Sequence, residues 1–328
     1  MTRNIKSAKK AFTLLELSLV VLIVSILISG GLSVSVTAIN NSKMRITKER
    51  INLIYRAMGN YLLINKKLPC PGALTEAKSS STTYGSEGFC DTISKTGIYV
   101  SSNAPLLNYG SVPVTALGLP KDMAEDGFGG KLVYIVDRTF AAETGYAHDK
   151  YGSITIMENQ GGADQTVIPT SSISLGNDKA VLVIMSYGQN QFGAFPADSN
   201  AINSNSTDTK EIENALGSIA SPDFDYSFFS ESKNSDSFDD YVFYKTRNNI
   251  MIDFNALSLI KCTSTSDNSD DVANCESGTC TWPDAYYGQI AVSTSPCAST
   301  HLTTVAYPTK RCLAYGVWQP GAINPCTN

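Results

Sequence analysis

The apolar residues of this chain are concentrated first in one run near the N-terminus. Residues 12–32, FTLLELSLVVLIVSILISGGL, contain a single charged residue, Glu16. A helix of about twenty residues reaches across the hydrocarbon core of a bilayer. We therefore predict a transmembrane helix at 12–32, with the basic residues before it on the cytoplasmic side. An ordinary secretory signal peptide is the alternative, but Ser29-Gly30-Gly31 is a poor cleavage site.

The pattern becomes amphipathic beyond Lys43. Apolar side chains recur there at spacings of three and four, as expected for a helix with one buried face: Ile51, Ile54, Tyr55, Met58 and Leu62. Pro69 and Pro71 cannot continue a helix, so it should end near Lys67. We predict one long helix over 12–67, whose second half packs on a globular lobe.

Strand-like patterns follow the helix. Residues 131–136 alternate after a glycine-rich turn, and residues 180–185, AVLVIM, form an apolar run typical of a buried strand. The stretch 196–236 is long and polar, which indicates a surface insertion. We assign 68–260 to one globular α+β domain and 261–328 to a cysteine-rich C-terminal domain.

Composition narrows the class of protein. With 328 residues, 42% of them hydrophobic and 17% charged, the chain is long enough to bury a core. Its formal charge is −5, and four of its basic residues crowd the first ten positions. Phosphate binding requires clustered basic side chains on the folded body, so we expect no nucleic-acid partner.

Eight cysteines indicate disulfide bonds. None lies in a Cys-x-x-Cys pair, and His148 and His301 are the only histidines, so zinc and thiol-redox sites are disfavoured. Disulfides persist in oxidising compartments, which points outside the cytoplasm. Six cysteines follow residue 260, where a small lobe needs covalent support. These six are Cys262, Cys275, Cys280, Cys297, Cys312 and Cys326.

The beginning of the apolar run carries a motif. After the basic leader 1–11, the residues from Ala11 to Leu17 read AFTLLEL. This segment resembles the cleavage and methylation motif of type IV prepilins, with Ala11 where glycine is usual. The resemblance implies that a prepilin peptidase cuts between Ala11 and Phe12 and methylates the new amino group of Phe12. It also implies that Glu16 neutralises the N-terminal amine of a neighbouring subunit, the kind of partner that a charge in an apolar helix requires.

Shorter segments extend the resemblance along the chain. Residues 68–71, Leu-Pro-Cys-Pro, together with Cys90, resemble a subgroup of large pilin-like proteins, which implies a disulfide between Cys70 and Cys90. Residues 126–129, Asp-Gly-Phe-Gly, are similar to the pseudopilin segment that leads into the first sheet strand. Phenylalanine stands there in place of the usual tryptophan.

A pair of aspartates suggests the one candidate cofactor. In pseudopilins of type II secretion, paired aspartates before the last sheet strand help to bind calcium, and Asp239 and Asp240 match that pair. Calcium binding by these two residues is therefore what the resemblance implies, but we favour the simpler interpretation of a solvated acidic loop in which Asp239 caps a turn. Three further aspartates lie nearby in the sequence: Asp223, Asp225 and Asp236.

The last part of the chain is rich in aromatic residues as well as cysteines. Residues 312–326 resemble half of a small disulfide-rich binding module of the sushi type. The aromatic side chains are expected either to build a small stapled core, which we favour, or to form a recognition surface. They are Trp282, Tyr286, Tyr287, Tyr315 and Trp318.

No catalytic motif is present in the sequence. A lysine-bearing phosphate loop, a Gly-x-Ser-x-Gly elbow and a His-Glu-x-x-His helix are all missing. We therefore predict no catalytic residues, and a secreted hydrolase with paired carboxylates is a remote alternative.

The resemblance implies both a fold and a role. The fold is α+β, with a long N-terminal helix on an antiparallel β-sheet and a disulfide-rich β-type C-terminal lobe. The role is that of a minor type IV pilin-like subunit with a tip or adhesive function; a pseudopilin of a type II secretion system is the alternative. Its expected partners are prepilin peptidase, other pilin subunits and an inner-membrane assembly platform. It would sit in the inner membrane, with its globular part periplasmic, before joining an extracellular filament or a periplasmic pseudopilus.

Overall fold

The fold is known for most of the chain. The computed structural model describes residues 14–90, 99–100, 107–142, 152–160, 163–166, 179–215, 227–230, 238–259, 261–262, 264–267, 279–286, 288–297, 307–312 and 318–319. This part mixes α and β structure and contains a long N-terminal helix, an antiparallel main sheet and disulfide bonds. The α+β class predicted from the sequence is confirmed.

Helix α1, Leu14–Asn65, is 52 residues long. Its second half buries the predicted stripe against the sheet, with Ile51, Ile54, Met58 and Leu62 inside the first core. Lys66 then adopts a left-handed φ of 59°, which ends the helix two residues before the predicted position.

The N-terminal part of α1 is exposed. Residues 14–26 all face solvent, and most of them are large and apolar: Leu14, Leu15, Leu17, Leu19, Val20, Val21, Leu22, Ile23, Val24 and Ile26. Among the residues searched, which are those described here, no helix is both long and apolar enough to cross a membrane. The span expected at 12–32 is thus not confirmed, and residues 12–13 and the side chains of 27–32 lie outside the description.

The main sheet has five antiparallel strands in the order β1-β2-β3-β6-β8. They are β1 (Tyr99–Val100), β2 (Leu107–Ser111), β3 (Val133–Asp137), β6 (Ala180–Ser186) and β8 (Tyr241–Thr246). Strand β3, expected as the first strand of the sheet, follows two others that the sequence analysis missed. Strand β6 matches the predicted run 180–185 and is buried throughout, because its two faces join different cores.

A second, three-stranded sheet has the order β5-β4-β7. Its strands are β4 (Thr155–Gln160), β5 (Ala163–Thr166) and β7 (Ser227–Phe229). The described residues of this part of the fold also form three short helices: α2 (Arg138–Ala141), α3 (Thr209–Asn214) and α4 (Arg247–Asp253). Two 3₁₀ turns are also described: Lys121–Ala124 lies between β2 and β3, and Leu257–Leu259 follows α4.

The stretch 196–236 is not confined to the surface, in contrast to the prediction. Its described residues include α3, which is capped by the Asp208 side chain accepting a hydrogen bond from the Lys210 backbone N–H. They also include β7, which pairs in parallel with β4 and places Phe228 in the second core. The apolar residues that fold this stretch inward are few and widely spaced, so its polar average misled the prediction.

The cysteine-rich region, residues 261–328, contains three two-stranded antiparallel sheets in its described part. The pairs are β9 (Lys261–Cys262) with β12 (Ala285–Tyr286), β10 (Thr265–Asp267) with β11 (Cys280–Trp282), and β13 (Ile290–Val292) with β14 (Thr309–Arg311). A disulfide joins Cys262, in β9, to Cys312, which directly follows β14. We call residues 14–259 the sheet region.

Candidate functional site

Three carboxylates meet at the start of the edge strand β8. Asp239 and Asp240 immediately precede the strand, and Glu211 comes from α3. One oxygen of each lies within 4.8 Å of the others. Glu211 and Asp240 are each only 2% exposed. We call these three residues the carboxylate cluster.

The turn that follows β6 is bound to the cluster. Asp239 Oδ2 accepts hydrogen bonds from the backbone N–H groups of Gln189 (2.7 Å) and Asn190 (2.9 Å). The Asn190 side chain donates to Glu211 Oε1 at 2.7 Å. Glu211 Oε1 also accepts from the Asp239 backbone N–H at 3.1 Å. The cluster therefore fixes residues 189–190 through backbone and side chain together.

Glycine is required where this turn meets the cluster. Gly188 has a φ of +59°, and a Cβ atom there would lie 2.1 Å from the Asp239 carbonyl oxygen. A larger residue would push the turn away from Asp239. The glycine at position 188, in the sequence SYGQNQFG, is therefore required for a local steric reason.

A buried amide supports the other end of the cluster. Asn214, in the last turn of α3, donates from Nδ2 to Asp240 Oδ2 and to the Phe229 carbonyl, both at 3.0 Å. Its Oδ1 accepts from the Phe229 backbone N–H at 2.7 Å. This single side chain holds Asp240 against β7.

The cluster has more acceptor atoms than its described surroundings satisfy. Two buried oxygens, Glu211 Oε2 and Asp240 Oδ1, accept no hydrogen bond from the described groups. Burial, together with the charge of Glu211, raises the pKa of Asp239 to about 6. Burial, with the charges of Glu211 and Asp239, also raises the pKa of Asp240 well above its ordinary value. A cation placed among these oxygens would relieve both the desolvation and the mutual repulsion.

The donor set fits a hard divalent cation. Calcium takes six to eight oxygen ligands, and carboxylates supply several of them in most protein sites. Asp239 and Asp240, the pair singled out in the sequence, both lie in the cluster, and the structure adds Glu211. The nearby Asp223, Asp225 and Asp236 lie outside the described residues.

Sequence reasoning missed Glu211 and Asn214. Glu211 lies 28 residues before Asp239 and in a stretch interpreted as a surface insertion. The only local signal was the capped helix around it, with Asp208 before a helix-compatible segment. Nothing in that pattern indicates which carboxylate faces the aspartate pair.

The predicted N-terminal site is described only in part. Ala11 and Phe12 lie outside the described residues. Glu16 lies in the first turn of α1 and is exposed, among the apolar side chains of residues 14–26. Its predicted pairing with a neighbouring subunit stays a prediction.

The disulfide predictions have a clearer outcome. Cys70 and Cys90 are bonded, as the resemblance implied. Cys262 is bonded to Cys312, and Cys280 and Cys297 also form disulfides. Cys275 and Cys326 lie outside the described residues.

The aromatic residues of the cysteine-rich region divide between core and surface. Trp282 is fully buried, and its Nε1 donates to the Pro308 carbonyl at 3.1 Å, so it is not part of a recognition surface. Lys310 Nζ lies 4.5 Å from the centre of its ring. Trp318 packs partly against the same core, whereas Tyr286 is half exposed. Tyr287 and Tyr315 lie outside the described residues.

Comparison with known proteins gave no match: no family model, no curated protein and no solved structure is significantly similar to this chain.

Proposed function

We propose that this chain is a minor type IV pilin-like subunit that assembles into a cell-surface filament through its N-terminal helix. The observation that carries the proposal is the division of α1 into two parts. Residues 14–26 expose a nearly continuous apolar surface, whereas Ile51, Ile54 and Met58 are buried on the sheet.

An exposed apolar helix requires a covering surface. Burial of apolar area contributes about 25 cal/mol per Å², and residues 14–26 carry ten large apolar side chains that the rest of the chain leaves exposed. In the proposed life cycle, the inner membrane covers this segment first. Neighbouring subunits cover it after the assembly platform has moved the subunit into the filament.

The motif at the N-terminus supplies the processing steps of the proposal. Prepilin peptidase cleaves the chain between Ala11 and Phe12, which removes residues 1–11. It then methylates the new amino group of Phe12. Glu16 then pairs with the N-terminal amine of a neighbouring subunit and sets the register of the helices. A buried carboxylate and amine satisfy each other only in that register.

Two measurements test the proposal. N-terminal sequencing of the membrane-extracted protein should find methylated Phe12 as the first residue; any other first residue contradicts the processing step.

Glu16→Ala should reduce incorporation into filaments by more than about tenfold, because an unpaired buried charge costs more than 1.4 kcal/mol. Glu49→Ala is the matched control, since Glu49 is an exposed acid on the same helix. Normal incorporation of Glu16→Ala would refute the pairing.

A pseudopilin of type II secretion is the second candidate, and the carboxylate cluster favours it. Immunogold labelling separates the two roles. Label at the ends of surface filaments supports the minor pilin, whereas periplasmic label with a secretion defect on deletion supports the pseudopilin.

Calcium binding at the cluster belongs to either role. A ligand that binds only the folded state raises stability by about 2.7 kcal/mol at a hundred times its Kd, so calcium should raise the Tm of the full chain. Asp240→Asn should remove most of this increase. Glu213→Gln, which changes an acid on α3 outside the cluster, should keep it. An unchanged Tm of the wild type in calcium would refute the site.

We propose no catalytic role. One polar cleft of about 610 Å³ includes Glu76 and Asp198. Glu76 accepts hydrogen bonds from the hydroxyls of Ser81 and Thr83, and Asp198 accepts one from the Ser79 backbone. Both carboxylates are therefore used in hydrogen bonds that stabilise the surrounding loops. The cleft gives no particular support to a hydrolase.

A further inference from the structure

Helix α1 loses its contact with the rest of the sheet region along a short stretch of its length. Residues 37–39 are exposed, Asn40 is the first partly buried residue of this stretch, and Thr47 is the first fully buried one. We call residues 37–47 the exit segment. Among its contacts with the rest of the sheet region, two sets lead back to the carboxylate cluster.

The first connection runs through the turn after β6. Asp239 holds the backbone N–H groups of Gln189 and Asn190. The Gln189 side chain, positioned in this way, accepts a hydrogen bond at its Oε1 from Asn40 Nδ2. Movement of Asp239 would therefore reach the exit segment through one intervening residue.

The second connection runs through the first residue of β8. Tyr241 follows Asp240 directly, and its ring stacks on Phe128, with centroids 6.5 Å apart and planes inclined by 10°. Lys43 Nζ lies 5.6 Å from the centre of the same Phe128 ring. A change in the position of Asp240 would thus alter the aromatic surface beneath Lys43.

The loop that carries Phe128 is itself tightly fixed on the helix. The Gly127 backbone N–H donates to Thr47 Oγ1 at 2.9 Å. A Cβ atom at Gly127 would lie 2.1 Å from the Lys43 carbonyl oxygen, so only glycine permits this approach. Both connections therefore end within one stretch of about two helical turns.

We propose that the carboxylate cluster controls the stability of the exit segment of α1. This inference rests on the cation site of the proposed function: a divalent cation held by Glu211, Asp239 and Asp240 fixes the turn after β6 and the start of β8. These two elements then hold Asn40 and Lys43 more firmly. Cation binding at the carboxylate cluster thereby determines how stable the helix is at residues 37–47, between the part packed on the sheet and the exposed apolar part at residues 14–26.

Hydrogen exchange measured by mass spectrometry on the full chain in detergent tests the coupling. Calcium, compared with a chelator, should slow amide exchange in residues 37–47 by about fivefold, and residues 54–62 should change little because their helix is already packed on the core. Gln189→Ala combined with Phe128→Leu should keep the calcium-induced rise in Tm and lose the slowing. Gln189→Ala retains the backbone N–H that Asp239 binds, so the cluster itself is left intact.

A second perturbation needs no metal. Glu211→Gln in chelator reduces the repulsion within the cluster and should also slow exchange in 37–47, whereas Glu213→Gln should not; Asp239→Asn serves if Glu211→Gln does not fold. If calcium leaves the wild-type Tm unchanged but Glu211→Gln slows the exit segment, the calcium site is refuted and the coupling is upheld. If calcium raises the Tm without slowing exchange in 37–47, the coupling is refuted. Unchanged exchange after both perturbations also refutes it.

Discussion

The sheet region and the cysteine-rich region of this chain are stabilised in different ways. The sheet region buries two large apolar clusters, one between α1 and the main sheet and one on the opposite face of that sheet. The described core of the cysteine-rich region has seven buried residues, of which four are cysteines and one is Trp282. Where apolar area is abundant the chain depends on burial, and where it is scarce the chain depends on covalent bonds.

The difference also explains where the candidate site lies. Burying the carboxylate cluster is unfavourable and must be offset by a stable surrounding structure. The elements α3, β7 and β8, which pack around the second core, provide that structure. The cysteine-rich region has short strands of two or three residues and little buried area. We therefore expect perturbations of the two regions to have separable effects.

The largest expected effect comes from removing one disulfide in each region. Cys262→Ala with Cys312→Ala removes a bond between residues 50 apart in the sequence. The unfolded chain gains entropy, and the free energy of unfolding falls by about 4 kcal/mol. The small core does not offset this loss, so limited proteolysis should cut between residues 261 and 312. Cys70→Ala with Cys90→Ala, across 20 residues, costs about 3 kcal/mol, but the two apolar clusters should keep the sheet region folded. Equal protease resistance of 261–312 in wild type and the first variant would contradict the comparison.

A smaller effect is expected from a single core residue of the sheet region. Ile54 is fully buried under the main sheet, and Ile54→Ala should lower the free energy of unfolding by about 3 kcal/mol through lost burial and a residual cavity. Leu53, the preceding residue, is 41% exposed, and Leu53→Ala should change it by no more than about 0.5 kcal/mol. Denaturant midpoints measure both changes. Similar losses from the two variants would mean that α1 is not packed as described.

The smallest expected effect is a pH dependence that belongs to the sheet region. The pKa of Asp239 rises from 3.8 to about 6 on folding, chiefly through burial. The folded state therefore binds a proton more tightly than the unfolded state, so stability without calcium should fall as pH rises from about 4 to about 6. Asp239→Asn should make this part of the curve less steep and raise the Tm at pH 7; part of the slope remains, because the pKa of Asp240 is raised as well. Thermal unfolding in chelator between pH 4 and pH 7 gives the answer, and an equally steep curve for the variant would exclude Asp239 as its source.

Several features of the fold followed from local patterns. The stripe from Ile51 to Leu62 predicted the packed half of α1, because a helix presents residues three and four apart on one face. The run AVLVIM predicted β6 because a strand covered on both faces needs apolar residues at every position. Strand β2, LNYGS, was missed because its polar and glycine residues carry no such signal, although all five residues are buried.

Only part of the candidate site could be predicted from the sequence. Adjacent residues such as Asp239 and Asp240 must stay together in any fold, so the sequence by itself determined that a pair of carboxylates would precede β8. Only the tertiary structure decided that Glu211 joins them, that Asn190 and Asn214 hold them, and that Gln189 and Tyr241 link them to α1. The physical reason is that contacts between distant residues depend on how layers pack, and packing is decided by buried surfaces that no local pattern records.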